Sequence, residues 1–273
     1  MEHTFVICAY KESPYLEECI QSLKNQTISS IILLATSTPS KYLEKMCEKY
    51  QIEYYVRDGV PGIAPDWNYA LSVAKTPYVT IAHQDDVYET EYASRIMEIL
   101  SNYKNDSRHC PLIVSTDYSE LVGCKKDPNR RNLKVKKILL KPLKKIHNQS
   151  KKIWKRHALH LGNAVGCPTI TYHMEYIQEL LDKEGKKQLF LEHFRSNLDW
   201  EALEWLSRKE GSFVYVPEVL VAHRIHEGSE TTAAIHDNQR SQEDYEMLSK
   251  FWPKWIAKQI LKVYSVSEKS NEV

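Results

Sequence analysis

Short apolar runs and amphipathic segments take turns along the first hundred residues. "TFVICA" (4–9) is a brief β-branched run, and "SPYLEECIQSLKNQ" (13–26) follows with Leu16, Ile20 and Leu23 on one face of a helix. Ser13 stands where an N-cap belongs and Pro14 at the first helical position. "SIILLAT" (30–36) predicts a second buried strand, "SKYLEKMCEKY" (40–50) a helix and "IEYYV" (52–56) a third strand. "PDWNYALSVAK" (65–75) predicts a short helix, "PYVTIAH" (77–83) a fourth strand and "ETEYASRIMEILSNYK" (89–104) a further helix. Strands that alternate with helices imply an α/β fold, a mostly parallel sheet flanked by helices.

The pattern then changes. "PLIVSTDYSELVG" (111–123) reads as a strand and turn, after which Pro128 and Pro142 exclude any long helix. Order resumes in "GNAVGCPTITYHMEYIQELLDKEG" (162–185) as turn, strand and helix. "NLDWEALEWLSRKEG" (197–211) predicts a helix, "SFVYVPEVLVAHRIH" (212–226) two short strands, and residues 237–264 are helical apart from a break near Pro253. The expected organisation is one α/β domain over 1–236, with an insertion at about 124–158, and a C-terminal helical extension over 237–273.

Composition narrows the class without deciding it. Hydrophobic residues make up 42% of the 273 and charged residues 27%, as in ordinary soluble domains. Six scattered cysteines without a CxxC pair argue against a zinc or disulfide framework and fit a reducing cytoplasm. The first residues do not resemble a signal peptide, and no stretch approaches the ~20 apolar residues that span a bilayer. The expected location is cytoplasmic, or peripheral at the inner face of the cell membrane.

A net charge of +1 conceals an asymmetry. Residues 124–156 hold 14 Lys plus Arg against one Asp, so the remainder is strongly acidic. The segment has three readings: a solvated insertion, a contact with an anionic membrane in which Leu139, Leu140 and Leu143 act as shallow anchors, or a nucleic-acid patch. Nucleic acid ranks last, because no aromatic stacking pattern accompanies the lysines.

Ligands of parallel sheets sit beyond the carboxyl ends of the strands. Strands one and four end in Ala9-Tyr10-Lys11-Glu12 and His83-Gln84-Asp85-Asp86, so both polar clusters fall where a ligand belongs. Adjacent carboxylates need a cationic or solvated receiver. Asp85 and Asp86 offer hard oxygen ligands for Mg²⁺ or Mn²⁺, or else a solvated helix cap. The first turn, "AYKESP", lacks the glycines of a dinucleotide site, and no P-loop, H-E-x-x-H or G-x-S-x-G is present.

Taken together, "FVICAYKESPYLEECIQSLKNQT", "GIAPDWNYALSVAKTPYVTIAHQDD" and "NLDWEALEWLSRKEGSFVYVPEVLVAHRIH" resemble the family 2 glycosyltransferases of the GT-A fold. The resemblance covers most of residues 4–230. It implies a nucleotide-sugar donor, a UDP-sugar by default, and an acceptor that is a glycan or is lipid-linked. Ala9, Tyr10 and Glu12 would touch the nucleotide and Asn68 would line the donor pocket. "HQDD" stands in place of the family's D-x-D-D, with Asp85 contacting a divalent metal and the sugar diphosphate. Asp199 in "NLDWE" matches the catalytic base of an inverting transferase, and His226 in "HRIH" a diphosphate or metal contact. The implied donor-binding set is therefore Ala9, Tyr10, Glu12, Asn68, His83, Gln84 and Asp85. The implied metal set is Asp85, Asp86 and His226.

Three positions depart from the family pattern. His83 replaces the first Asp of D-x-D, "LLATSTPS" has no carboxylate where the family reads the base, and Leu198 replaces the first acid before Asp199. These departures sustain the alternative of a non-catalytic sugar-nucleotide-binding or scaffold relative. A nucleotidyltransferase would need a glycine- and arginine-rich first loop. On residue type alone, Asp199 reads as a helix-dipole charge, His223 and His226 as loop residues, and His157 and His160 as structural.

Overall fold

The computed structural model describes residues 1–103, 109–226 and 238–269. The strands are β1 (His3–Ala9), β2 (Ile31–Thr36), β3 (Glu53–Val56), β4 (Tyr78–His83), β5 (Val87–Tyr88), β6 (Pro111–Val122), β7 (Lys125–Asp127), β8 (Ile170–His173) and β9 (Ser212–Arg224). They form one sheet ordered β3-β2-β1-β4-β8-β6-β9-β5, with β7 folded back on β6. The first four strands pair parallel, as the alternation predicts. Beyond them β8 runs antiparallel to both β4 and β6, and β6 lies parallel to β9. The sheet is therefore mixed in its second half.

Alternation along the strands assigns the helices to faces. Val6, Leu33, Val79 and Ile81 point into one core with α3 (Ile63–Val73), α8 (Met174–Lys183) and α9 (Leu198–Ser207). Phe5, Ile7, Leu34 and Ala82 point into the other, with α1 (Leu16–Lys24), α2 (Lys41–Tyr50) and α4 (Tyr92–Ser101). Helix α1 begins two residues later than the Ser13-Pro14 signal suggested. The Ser13 hydroxyl instead accepts the Tyr15 N–H at 3.2 Å, capping the turn before the helix.

Residues 212–224 form one long strand, where two short ones were expected. Pro217 is tolerated because the β6–β9 register shifts at Thr116/Asp117 and Asp117/Tyr118, and a bulge needs no ladder hydrogen bond from proline. The basic segment folds as β7, α5 (Arg131–Leu140), a 3₁₀ turn (Lys141–Lys144), α6 (Ile146–Gln149) and α7 (Lys152–His157). Leu139, Leu140 and Leu143 are buried in the core, which removes them as membrane anchors. The extension forms α10 (Asn238–Ser249) and α11 (Lys254–Lys269). The expected domain boundary at 236/237 lies outside the described residues. No described helix is long and apolar enough to cross a membrane.

Candidate active site

Parallel pairing of β1 with β4 sets Cys8 opposite His83 and brings the two polar clusters side by side. The Gln84 amide joins them, accepting the Tyr10 N–H at 3.3 Å and donating to the Tyr10 carbonyl at 2.9 Å. Lys11 turns the chain with a positive φ of 56°, and its N–H donates to Thr38 Oγ1 at 2.6 Å, which ties in the end of β2. Ala9 is buried, whereas Tyr10 and Glu12 are exposed at the rim.

The two adjacent carboxylates part ways. Asp85 is partly exposed, and its Oδ2 meets His226 Nε2 at 2.9 Å. Asp86 is fully buried: its Oδ1 accepts from the Arg224 N–H at 2.9 Å and from His223 Nδ1 at 3.0 Å. Burial opposes ionisation of Asp86, but His223, His83 and the Arg224 N–H outweigh it, and the carboxyl lies below its usual range. Burial likewise disfavours the His223 cation, yet Asp86 and Asp85 raise its pKa overall. Arg224 secures the assembly, donating to the Asp85 carbonyl at 2.9 Å and to Glu18 of α1 at 2.5 Å. Its guanidinium also lies over the Tyr15 ring at 4.3 Å, and the same ring packs against His226.

Two donor sets suit a divalent ion. Asp85 and His226 offer an oxygen and an imidazole nitrogen on partly exposed side chains. His83, Asp86 and His223 hold ligand atoms within 4.8 Å of one another, but their carboxylate is enclosed and already bonded. A carboxylate–imidazole set fits Mn²⁺ better than Mg²⁺, which prefers oxygen alone. Of the two sets, Asp85 and His226 is the one whose carboxylate is open to solvent.

Asp199 lies in the first turn of α9, half-buried. Its Oδ2 accepts from the Asn163 amide at 2.8 Å and its Oδ1 from the Trp200 N–H at 2.7 Å. Burial pushes its carboxyl above the usual range, and those two donors, Lys136 and His83 offset this only in part. His83, at the end of β4, has its ring stacked on Trp67 at 5.3 Å and its Nε2 3.8 Å from Cys167 Sγ, in the same loop whose Asn163 holds Asp199. Asn68, expected in the donor pocket, binds the Phe190 backbone through both amide atoms, at 2.8 and 3.0 Å. It latches the loop before α9.

Several contributors escaped the sequence reading. Asn163, in "GNAVGC", orients Asp199. Gly166 lets the Tyr118 ring approach, since a Cβ there would lie 2.6 Å from it. Tyr118 in turn accepts from Lys136 at 2.9 Å, which draws α5 of the basic segment into the site. Glu243 of α10 accepts three consecutive N–H groups, from Arg195, Ser196 and Asn197, at 2.8, 2.8 and 3.0 Å. The extension therefore fixes the chain entering α9. Near the end of β2, Asp66 of α3 accepts from Ser37 at 2.8 Å and pairs with Arg57 at 2.7 Å, so a carboxylate reaches the strand end that lacks its own.

The family profile described as Glycosyl transferase family 2 matches residues 4–154, more than half of the chain. Among solved structures, S. aureus TarS (residues 1–349) in complex with UDP-GlcNAc aligns with a TM-score of 0.63 at 14% identity, over 96% of this chain and 70% of that one. The mannosyltransferase PcManGT from Pyrobaculum calidifontis, in complex with GDP-Man and Mn²⁺, aligns with a TM-score of 0.58 at 14% identity, over 97% and 69%. A longer S. aureus TarS structure aligns at 0.55, and this chain covers 42% of it. No curated protein sequence matches the chain. At such identities the structural likeness shows the fold.

Proposed function

The chain belongs to glycosyl transferase family 2, and on that premise we propose that it moves a hexosyl group from a nucleotide-sugar to an acceptor hydroxyl with inversion, Asp199 acting as general base. The observation that carries this reading is that one short loop holds Asp199 through Asn163 and meets His83, at the end of β4, through Cys167. Asp199 takes the proton of the acceptor hydroxyl as that oxygen attacks the anomeric carbon. The bond from that carbon to the diphosphate breaks on the opposite side, and the nucleoside diphosphate leaves.

Tyr10 and Glu12 at the rim, with Gln84 and Asp85, border the donor. Asp66, presented by Arg57 and Ser37 beside β2, is the carboxylate available for reading the base, and UDP is the default. Asp85 and His226 would hold a divalent ion, whose chemistry is to neutralise charge growing on the departing diphosphate. Relatives of this fold bound to UDP-GlcNAc, and to GDP-Man with Mn²⁺, support the donor class. The acceptor is a glycan or a lipid-linked saccharide of surface-polysaccharide assembly, and six free thiols suit a reducing, cytoplasmic setting.

Thermal denaturation with UDP-, GDP-, dTDP- and CMP-sugars, each with and without Mn²⁺, tests the reading, because specific binding raises the melting point by mass action. One nucleotide class should stabilise the protein in a metal-dependent way, and Asp85→Asn should remove the metal dependence. Donor binding without any turnover of the bound sugar would favour the non-catalytic relative. No stabilisation by any donor would end the assignment.

A further inference from the structure

From the outward face of the basic segment we infer a docking surface for an anionic lipid bilayer. Helix α5 packs inward through Leu133, Lys136, Lys137 and Leu140, at helical spacing i, i+3, i+4, i+7. Its opposite face carries Arg131, Lys134, Val135 and Ile138, all exposed. The pattern continues after it: Ile146 of α6 and Ile153 of α7 are each 67% exposed and Ile138 is 66% exposed. Among the described residues, no other isoleucine or leucine is more than half exposed.

Charge accompanies these side chains. No acidic residue occurs between 128 and 174. Arg130 and Arg156 are spent on Glu120 and Glu204. Lys155 is buried, donating to the carbonyls of Lys209 and Gly211. Lys136 and Lys137 point inward to Tyr118 and Asp117. The other seven Lys and Arg between 131 and 152 are exposed and form no ion pair among the described residues.

The combination selects the partner. A soluble polyanion would need the cations but gains nothing from three exposed isoleucines. A second copy docking through this same face, as a two-fold dimer would, meets like charge. An anionic bilayer satisfies both features, the head groups receiving the lysines and the acyl boundary receiving the aliphatic side chains. The inner side of α5 bears Lys136, which donates to the Tyr118 hydroxyl at 2.9 Å, and the Tyr118 ring packs edge-on against His223, so docking brings the strand-end site to the membrane. That the acceptor is lipid-linked rests on the transferase reading; the docking itself does not.

Co-sedimentation of the full chain with phosphatidylcholine vesicles, with and without phosphatidylglycerol, tests the surface at low and high salt. Binding should require phosphatidylglycerol and weaken with salt. Replacing Lys134, Lys141, Lys144 and Lys145 by Gln should weaken partitioning by several hundred-fold, at roughly fivefold per charge. The triple variant Ile138→Ser, Ile146→Ser, Ile153→Ser should weaken it by on the order of tenfold per side chain while leaving the melting point unchanged. Asp199→Asn should bind vesicles as the native protein does, which separates docking from catalysis. No binding at low salt would overturn the inference. So would an Ile→Ser triple variant that binds normally while inorganic polyphosphate displaces the protein, since the surface would then serve a soluble polyanion.

Discussion

Changing Asp199 to Asn separates two roles that one carboxylate at a helix start can have. If Asp199 is the base, its removal forfeits the ~10²–10⁴-fold that a positioned base contributes, about 3–5 kcal/mol of transition-state stabilisation. Stability responds in the other direction. Burial raises the folded-state pKa of Asp199 above its unfolded value. Between those two values the folded state holds more protons, so stability falls as pH rises through that window. Above the window the native protein carries the cost of a partly desolvated carboxylate. Asparagine removes that cost and retains an oxygen for the Trp200 N–H, and it loses the hydrogen bond from Asn163, worth about 0.5–1.5 kcal/mol. The opposing loss of a charge at a helix N-terminus is about 0.3–1 kcal/mol. At neutral pH the variant should therefore melt within ~2 °C of the native protein, or above it, while transfer from the stabilising donor nearly vanishes. The native rate should rise with pH through the elevated pKa. A variant with activity within a few-fold of native would refute the base assignment. One that melts several degrees lower would make Asp199 a helix cap.

Three further outcomes follow from neighbouring contacts. Glu243→Gln weakens three charge-assisted bonds to the chain entering α9, a loss of about 2–4 kcal/mol, which thermal denaturation should register as a fall of about 5–15 °C. Its kcat should fall further than its donor KM rises, if the turn that Glu243 braces carries the base in Asp199; a reversed split would contradict this. The Asp86–His223 pair should stabilise the fold between the lowered pKa of Asp86 and the raised pKa of His223. Melting points should then fall as pH drops below the usual carboxylate range, and again as it rises past the ordinary histidine value of 6.5. In Asp86→Asn the alkaline decline should disappear, and its persistence would remove His223 from the account.

The parallel half of the fold was legible because most of its strands are short, largely apolar runs followed by a helix, and such local periodicity survives without knowledge of partners. The second half was not. Pro217 looks like a break in the sequence, and only the bulged pairing with β6 turns it into an interior position of one strand. Leu139, Leu140 and Leu143 look like surface anchors because lysines surround them, yet the sheet claims them and leaves Ile138, Ile146 and Ile153 outside. Local sequence could say that the segment is amphipathic; which face meets the core is a tertiary fact. Asn163 and Glu243 act on the α9 turn from 36 and from 46 to 48 residues away, distances over which periodicity carries no signal.

The strand-end cluster "HQDD" shows why two neighbouring carboxylates can be stable together. Had both faced the cleft, their mutual repulsion would have raised one pKa and weakened any cation site there. Instead Asp86 turns inward, where His223 and the Arg224 N–H neutralise it, and Asp85 turns outward to His226. The inward carboxylate binds the β9 end to the β4 end, and Arg224 completes the link by donating to the Asp85 carbonyl. Asp85 and His226 are thereby held 2.9 Å apart by residues that need never touch a ligand. It follows that Asp86 and Asp85 substitutions should fail differently. Loss of Asp86 should lower stability first and donor binding as a consequence. Loss of Asp85 should abolish the Mn²⁺-dependent part of donor binding in a protein that still melts normally without ligand.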